Sequence, residues 1–407
     1  MTVATRAVRG TWKALENRNY RWLWLGRLAT SGTFHMQNVV QGWLVYDLTG
    51  SAFALAWVGA GWSVAMLTFG LLGGAMADRV DKRRLVFGTR LATLGNTLFI
   101  GLLVASGLIQ PWHLALSSFI NGLISAFLMP AQQSLVSDLV EPDTLMNAVS
   151  LDAVGMGLMG IVGASVAGAC IDHIGPEAVY YLMTTLHALS AAAILRIPRL
   201  PLAPRETRSA WADLVAGAHY LRGQPLLALL LALEGVRVLF LMPYQSLLPA
   251  FAQDSLGFDA SGLGLLQSAI GFGGLLASLI AGHLGGLKNK GTLLARSSIV
   301  AGLCLILFVA VRWVPGVFAS LALVGGLGNL YMVLSSTLLL SHCAPAYRGR
   351  IVSMSMVAWG LMPLGTLPSG AIADRVGVPW VVGLQGAVVM AIFAFVSWRK
   401  PELKDLQ

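Results

Sequence analysis

The sequence has very little charge. Only 11% of its 407 residues are Asp, Glu, Lys or Arg, against 56% hydrophobic, whereas an ordinary soluble domain carries roughly 25% charged residues. Eighteen acids and 27 bases are too few to cover the surface of a soluble protein this long, so a soluble enzyme is excluded. Cysteine is nearly absent. Cys170, Cys304 and Cys343 lie in or beside apolar stretches, with no C-x-x-C, which excludes a disulfide framework or structural zinc. No G-x-x-x-x-G-K-[ST] loop occurs, so ATP hydrolysis on this chain is not the energy source. No catalytic constellation, metal site or cofactor motif stands out. The excess of bases does not indicate nucleic acid, because they lie in short clusters between long apolar runs, as loops facing an anionic membrane surface do.

What is present is a series of runs long enough to cross a bilayer core, which takes about 20 apolar residues. Six lie at 22–46, 53–77, 85–107, 112–137, 145–171 and 176–195, and six more at 225–252, 260–286, 292–313, 316–341, 350–373 and 378–397. We refer to them as spans one to twelve. Assigning alternate loops to opposite faces puts 21 of the 27 Lys and Arg residues on the side of the amino terminus. By the positive-inside rule both termini are cytoplasmic. The first 21 residues are basic and polar without a short apolar core and cleavage site, so no removable signal peptide is expected.

The chain reads as two six-helix bundles, 1–196 and 225–407, joined by a cytoplasmic linker at 197–224. The linker carries Pro198, Pro201 and Pro204, then an amphipathic segment with Trp211, Leu214, Val215 and Ala218 on one face. The halves repeat. Gly168-Ala169-Cys170-Ile171-Asp172-His173-Ile174-Gly175 matches Gly370-Ala371-Ile372-Ala373-Asp374-Arg375-Val376-Gly377 at an offset of 202. Gly74-Ala75-Met76-Ala77-Asp78-Arg79 closes span two in a similar way, so each half reads as two inverted three-helix units. Secondary transporters are built like this, with substrate bound between the halves near mid-membrane.

Gly74-Ala75-Met76-Ala77-Asp78-Arg79-Val80-Asp81-Lys82-Arg83-Arg84 resembles the signature of the major facilitator superfamily between spans two and three, G-x-x-x-D-R-x-G-R-[KR]-[KR]. More narrowly, the chain resembles that superfamily's drug and siderophore exporter branch. Asn19-Tyr20-Arg21-Trp22, Trp43 to Ser51, Pro130-Ala131 and Arg348-Gly349-Arg350 carry this likeness. The resemblance implies an all-α integral membrane protein of twelve helices in two pseudo-symmetric bundles, in a prokaryotic cytoplasmic membrane and acting as a monomer. It implies secondary active efflux of small drug-like or siderophore-like molecules by alternating access, with protons as a possible exchange partner. An importer or lipid flippase of the same fold is the alternative, and a non-transporting receptor a more distant one. It also implies that Gly74, Asp78, Arg79, Lys82, Arg83 and Arg84 form a cytoplasmic gate, with Asp78 locking against the start of span eleven. The chain departs from the pattern at three places: Asp81 stands where the wider superfamily has Gly, Ser118 where proton antiporters carry an Arg, and Ala164 where a Gly-Pro pair is expected.

Polar groups inside spans are expensive, so each is a candidate for function. Span one carries Arg27, Ser31, His35, Asn38 and Gln41 at steps of 4, 4, 3 and 3, one helical face. Span four adds Asn121 and Ser125, span seven Tyr244 and Gln245, and span ten Asn329. These are the candidate substrate-lining residues. Asp152 and Glu234 are the only acids well inside spans. With Arg27 and Arg237 they lie at similar depth, about 8 to 17 Å from the cytoplasmic ends. Two readings follow. The four form a static network in which Glu234 and Arg237 neutralise each other at i, i+3, or Asp152 or Glu234 exchanges a proton during transport. The glycines of spans five and eight likewise read as tight packing or as a sliding surface.

Overall fold

The computed structural model describes residues 13–77, 80–198, 210–281, 289–311, 313–344 and 347–400. The described residues form helices joined by short turns, without strands. In the first half the membrane helices are Arg18–Thr49, Ala52–Ala77, Lys82–Ala105, Pro111–Leu139, Pro142–His173 and Pro176–Leu195. The second half holds Pro225–Phe240 continued by Tyr244–Ala250, then Ala260–Ala281, Lys290–Ala310, Val314–Ser341, Arg348–Gly360 continued by Pro363–Val376, and Val378–Arg399. They occupy the expected order and positions of the twelve spans.

Eleven of these segments are long and apolar enough to cross a membrane. Span one falls short only in apolarity. At 32 residues it is about 48 Å long, well beyond the roughly 30 Å hydrocarbon core, and its row of polar side chains is what lowers its hydropathy. Span starts follow local chemistry. Pro111, Pro142, Pro176 and Pro225 each open a helix, where the missing N–H removes no intrahelical bond.

Two spans are interrupted. Span seven breaks at Leu241–Pro243 and, after Tyr244–Ala250, widens into a π turn at Phe251–Ser255. Pro243 and Pro249 account for the disturbance, since each removes a backbone donor. Span eleven breaks at Leu361–Met362, just before Pro363, an interruption that apolar-run reading passes over. The linker holds a helix at Ala210–Arg222. It docks on the start of span eleven, where Tyr220 stacks on Tyr347 at 4.1 Å and its hydroxyl accepts the Ala344 N–H at 3.3 Å.

The halves meet along paired helices: span two packs on span eleven, and span five on span eight. This is the arrangement the internal repeat demands, because a pseudo-twofold that relates span five to span eleven also relates span eight to span two. Small residues set the closeness. A Cβ on Gly264 would lie 2.5 Å from the Ala164 carbonyl oxygen, and one on Gly271 would lie 3.0 Å from Gly160. Ala164, where a Gly-Pro pair is expected, is fully buried against that contact.

Candidate functional site

The octet repeat acquires a physical meaning at the face that the charge count assigns to the exterior. Asp374, near the end of span eleven, accepts the backbone N–H of Ala52 at 2.6 Å and of Phe53 at 3.2 Å, and the Ser51 hydroxyl at 2.7 Å. Asp172, near the end of span five, accepts the N–H groups of Ala260 at 3.2 Å and Ser261 at 2.7 Å. Each carboxylate therefore caps the first turn of a helix in the other half, satisfying donors that have no intrahelical partner and meeting the positive end of that helix.

The glycines of the octet make this possible. A Cβ on Gly168 would stand 2.4 Å from the Ala260 carbonyl, and one on Gly370 would stand 2.7 Å from that of Ala52, so only glycine lets the helices approach closely enough. The closing glycines, Gly175 and Gly377, have φ of 131° and 90°, a left-handed region that frees the chain to turn at once into the next span. Beside these two caps, the Tyr46 hydroxyl of span one donates to the Asp254 carboxylate of span seven. Deeper in, Ser165 and Ser268 hydrogen-bond at 2.7 Å between spans five and eight. At that face the two halves are thus joined at three places among the described residues.

In the inner half, the four in-span charges separate into two groups. Arg27 of span one pairs with Asp152 of span five at 3.2 Å. Glu234 and Arg237 do not pair with each other among the described residues, contrary to the i, i+3 reading. Glu234 Oε1 instead accepts the Ser355 hydroxyl at 2.6 Å and Trp359 Nε1 at 3.0 Å, both on the first segment of span eleven. Its Oε2 is buried without a hydrogen bond. Arg237, only 2% exposed, lies 3.9 Å over the Tyr331 ring of span ten. A cation on an aromatic face in low dielectric is a favourable contact, but it leaves Nε and Nη1 without hydrogen bonds. A further buried cation is Arg90 of span three, 3% exposed, its Nε also unbonded.

The candidate lining residues do not share one environment. His35 reaches span five, where its ring would stand 3.3 Å from a Cβ on Gly160; Gly160 in turn faces Gly271 of span eight. His35 therefore sits where spans one, five and eight meet. Asn38 is exposed, Ser31 and Gln41 are half-buried, and Gln41 accepts a hydrogen bond from Gln37 at 2.7 Å. Asn121 and Ser125 are half-buried on span four, and Gln245 is exposed. Two residues serve packing. Tyr244 is 3% exposed within the core, and Asn329 ties span ten to span eight by donating to the Gly274 carbonyl at 2.8 Å and to Ser278 at 2.6 Å.

Of the gate motif, Gly74 lies in the last turn of span two, and Asp78 and Arg79 lie outside the described residues. Lys82 and Arg83 tie the start of span three to the ends of spans four and six. Lys82 pairs with Asp138 at 2.5 Å. Arg83 donates to the Ile194 and Leu195 carbonyls at 3.2 and 2.8 Å, a cation at the C-terminal end of span six. Arg84 is largely exposed, 3.7 Å from Asp81. Asp81 is the N-cap of span three, accepting the N–H groups of Arg83 and Arg84 at 2.9 and 3.2 Å. A capping carboxylate accounts for the departure from Gly there.

Comparison with known proteins agrees with this architecture. A family profile described as "Transmembrane secretion effector" matches residues 9–406. The enterobactin exporter EntS of Shigella flexneri is 28% identical over 291 residues, 70% of this chain and 68% of that protein. The EntS of Salmonella typhi is 28% identical over 284 residues, 69% of this chain and 67% of that protein. Among solved structures, a POT family transporter in complex with 5-aminolevulinic acid superposes with a TM-score of 0.76 at 12% identity, covering 95% of this chain and 97% of that one. The nucleoside transporter NupG gives 0.72 at 16% identity, covering 93% and 98%. At these identities the structural likeness carries the fold alone.

Proposed function

Because this chain belongs to the transmembrane secretion effector family and has the major facilitator fold, we propose that it is a secondary active exporter of small organic molecules working by alternating access. Like its relatives, it is a multi-pass membrane transporter and not an enzyme. The observation that carries the mechanism is the pair of symmetric caps, Asp374 on span two and Asp172 on span eight. They hold the outer ends together through hydrogen bonds worth about 0.5 to 2 kcal/mol each. Contacts of that size bias a two-state equilibrium without trapping it, since moving from 1:99 to 99:1 takes about 5.5 kcal/mol. A pseudo-twofold pair also opens as one event, because both caps break when the halves rock.

For the substrate we favour siderophore-like chelates. The support is the likeness to enterobactin exporters together with the polar face of span one, which presents His35 between the halves. We favour Asp152 for proton exchange because it pairs with a cation, Arg27, so that protonation releases the pair, whereas Glu234 is held by the neutral donors Ser355 and Trp359. Asp78 keeps its proposed role as the inner lock. The membrane is the prokaryotic cytoplasmic one, with both termini inside. The test is flux in inside-out vesicles of a catechol siderophore and of an amphipathic drug, with and without an imposed pH gradient. Accumulation of the siderophore, enhanced by the gradient, is expected; no accumulation of either compound by inserted protein overturns the reading.

A further inference from the structure

The first turns of span one carry a second feature, unrelated to the path between the halves. Arg18, Arg21, Trp22 and Leu25 follow one another at steps of 3, 1 and 3, which places them on a single helical face. They line a groove of about 270 Å³. The opposite face is committed to the core: Tyr20 and Leu23 are fully buried, and the Tyr20 hydroxyl donates to the Ala148 carbonyl at 2.9 Å. The groove therefore opens away from the protein interior.

Its chemistry is graded along the membrane normal. Arg18 and Arg21 are exposed, and neither pairs with a carboxylate among the described residues. Trp22, the residue after Arg21, is half-buried, and the guanidinium of Arg196, from the end of span six, lies 5.3 Å from its ring centre. Deeper still, Leu25 is 45% exposed. From Arg18 to Leu25 the helix rises about 10 Å, the distance from headgroup level to the start of the acyl chains. Setting topology requires only that basic residues lie on this side. It does not require two guanidiniums without a carboxylate partner among the described residues, an indole and an exposed leucine around one groove.

We propose that this groove is a binding site for an anionic phospholipid of the inner leaflet, the headgroup phosphate held by Arg18 and Arg21 and the glycerol and upper acyl chain lying on Trp22 and Leu25. The occupant is a lipid and not a soluble phosphate because the deeper half of the groove is apolar and faces outward. Guanidiniums suit the phosphate, offering paired donors in a fixed plane. An interfacial indole suits the boundary between polar and apolar layers.

Native mass spectrometry of the full-length detergent-purified chain tests this, with phosphatidylglycerol, phosphatidylethanolamine and inorganic phosphate as probes. One phosphatidylglycerol should bind preferentially over phosphatidylethanolamine and resist displacement by inorganic phosphate. With about 1 kcal/mol for each basic residue near the surface, Arg18→Gln/Arg21→Gln should bind it roughly thirty-fold more weakly. Arg399→Gln/Lys400→Gln removes the same charge elsewhere on the inner face and should leave it unchanged. Where the double variant folds poorly, Arg21→Gln alone gives the readout, with an expected loss of roughly five-fold. Equal weakening by both double variants would reduce the effect to general attraction. Displacement by inorganic phosphate, or equal binding of phosphatidylethanolamine, would also overturn the proposal.

Discussion

Asp374 and Asp172 stand at equivalent places in the two halves, and each caps the first turn of a helix belonging to the other half. One sequence element thus serves twice, joining the two halves at one face through a carboxylate acceptor on each.

Removing both caps should favour the outward-open form. For Asp172→Ala/Asp374→Ala the closed-to-open ratio is expected to fall roughly thirty-fold, with about 1 kcal/mol lost at each cap. Spin labels on the outer ends of spans one and seven report this as a new, longer distance. Unchanged distance distributions in the inserted double variant would show that the caps do not govern closure. The asparagine versions should shift the ratio less, because an amide oxygen still accepts from the backbone.

The Arg27–Asp152 pair separates coupling from structure. If Asp152 exchanges a proton, Asp152→Asn abolishes accumulation driven by a pH gradient and spares downhill flux. If the pair is structural, the variant strands Arg27; melting temperature and downhill flux then fall together, and Arg27→Leu/Asp152→Leu restores the melting temperature. Vesicle flux and thermal unfolding on the same preparations decide between them.

Glu234→Gln should cost little stability, since an amide oxygen still accepts from Ser355 and Trp359. Glu234→Leu leaves both donors unbonded in the membrane interior and is expected to destabilise by about 2 kcal/mol. A Gln variant as unstable as the Leu variant would mean that the charge itself, and not its hydrogen bonds, holds span seven to span eleven.

Residues of the signature loop should divide by phenotype. Arg83→Gln loses its contacts with the end of span six, so the melting temperature should drop. Asp81→Ala, losing the N-cap of span three, should cost about 1 kcal/mol, and Asp81→Gly only a few tenths. Asp78→Asn, by contrast, is expected to cut export while leaving stability intact. Normal efflux by well-inserted Asp78→Asn removes it from the gate.

The sequence by itself determined the order and approximate positions of the membrane spans, and it carries the octet that recurs at an offset of 202. Apolar run length, opening prolines and the one-sided distribution of Lys and Arg act locally along the chain, so they can be read without knowing any contact. The octets at Gly168 and Gly370 were equally visible, and served only as evidence of the repeat. Their carboxylates became caps only when folding placed span five beside span eight and span eleven beside span two, several hundred residues apart in the second case. The same reason explains Glu234 and Arg237. Their spacing on one helix suggested mutual neutralisation, but Ser355, Trp359 and Tyr331, on spans that sequence order does not make neighbours, offered each a nearer partner. Tyr244 and Asn329 went the same way, into the core and into a tie between spans eight and ten, because a polar residue on a membrane helix declares only that it needs a partner. Which partner it finds, substrate, water or another helix, is fixed by tertiary packing.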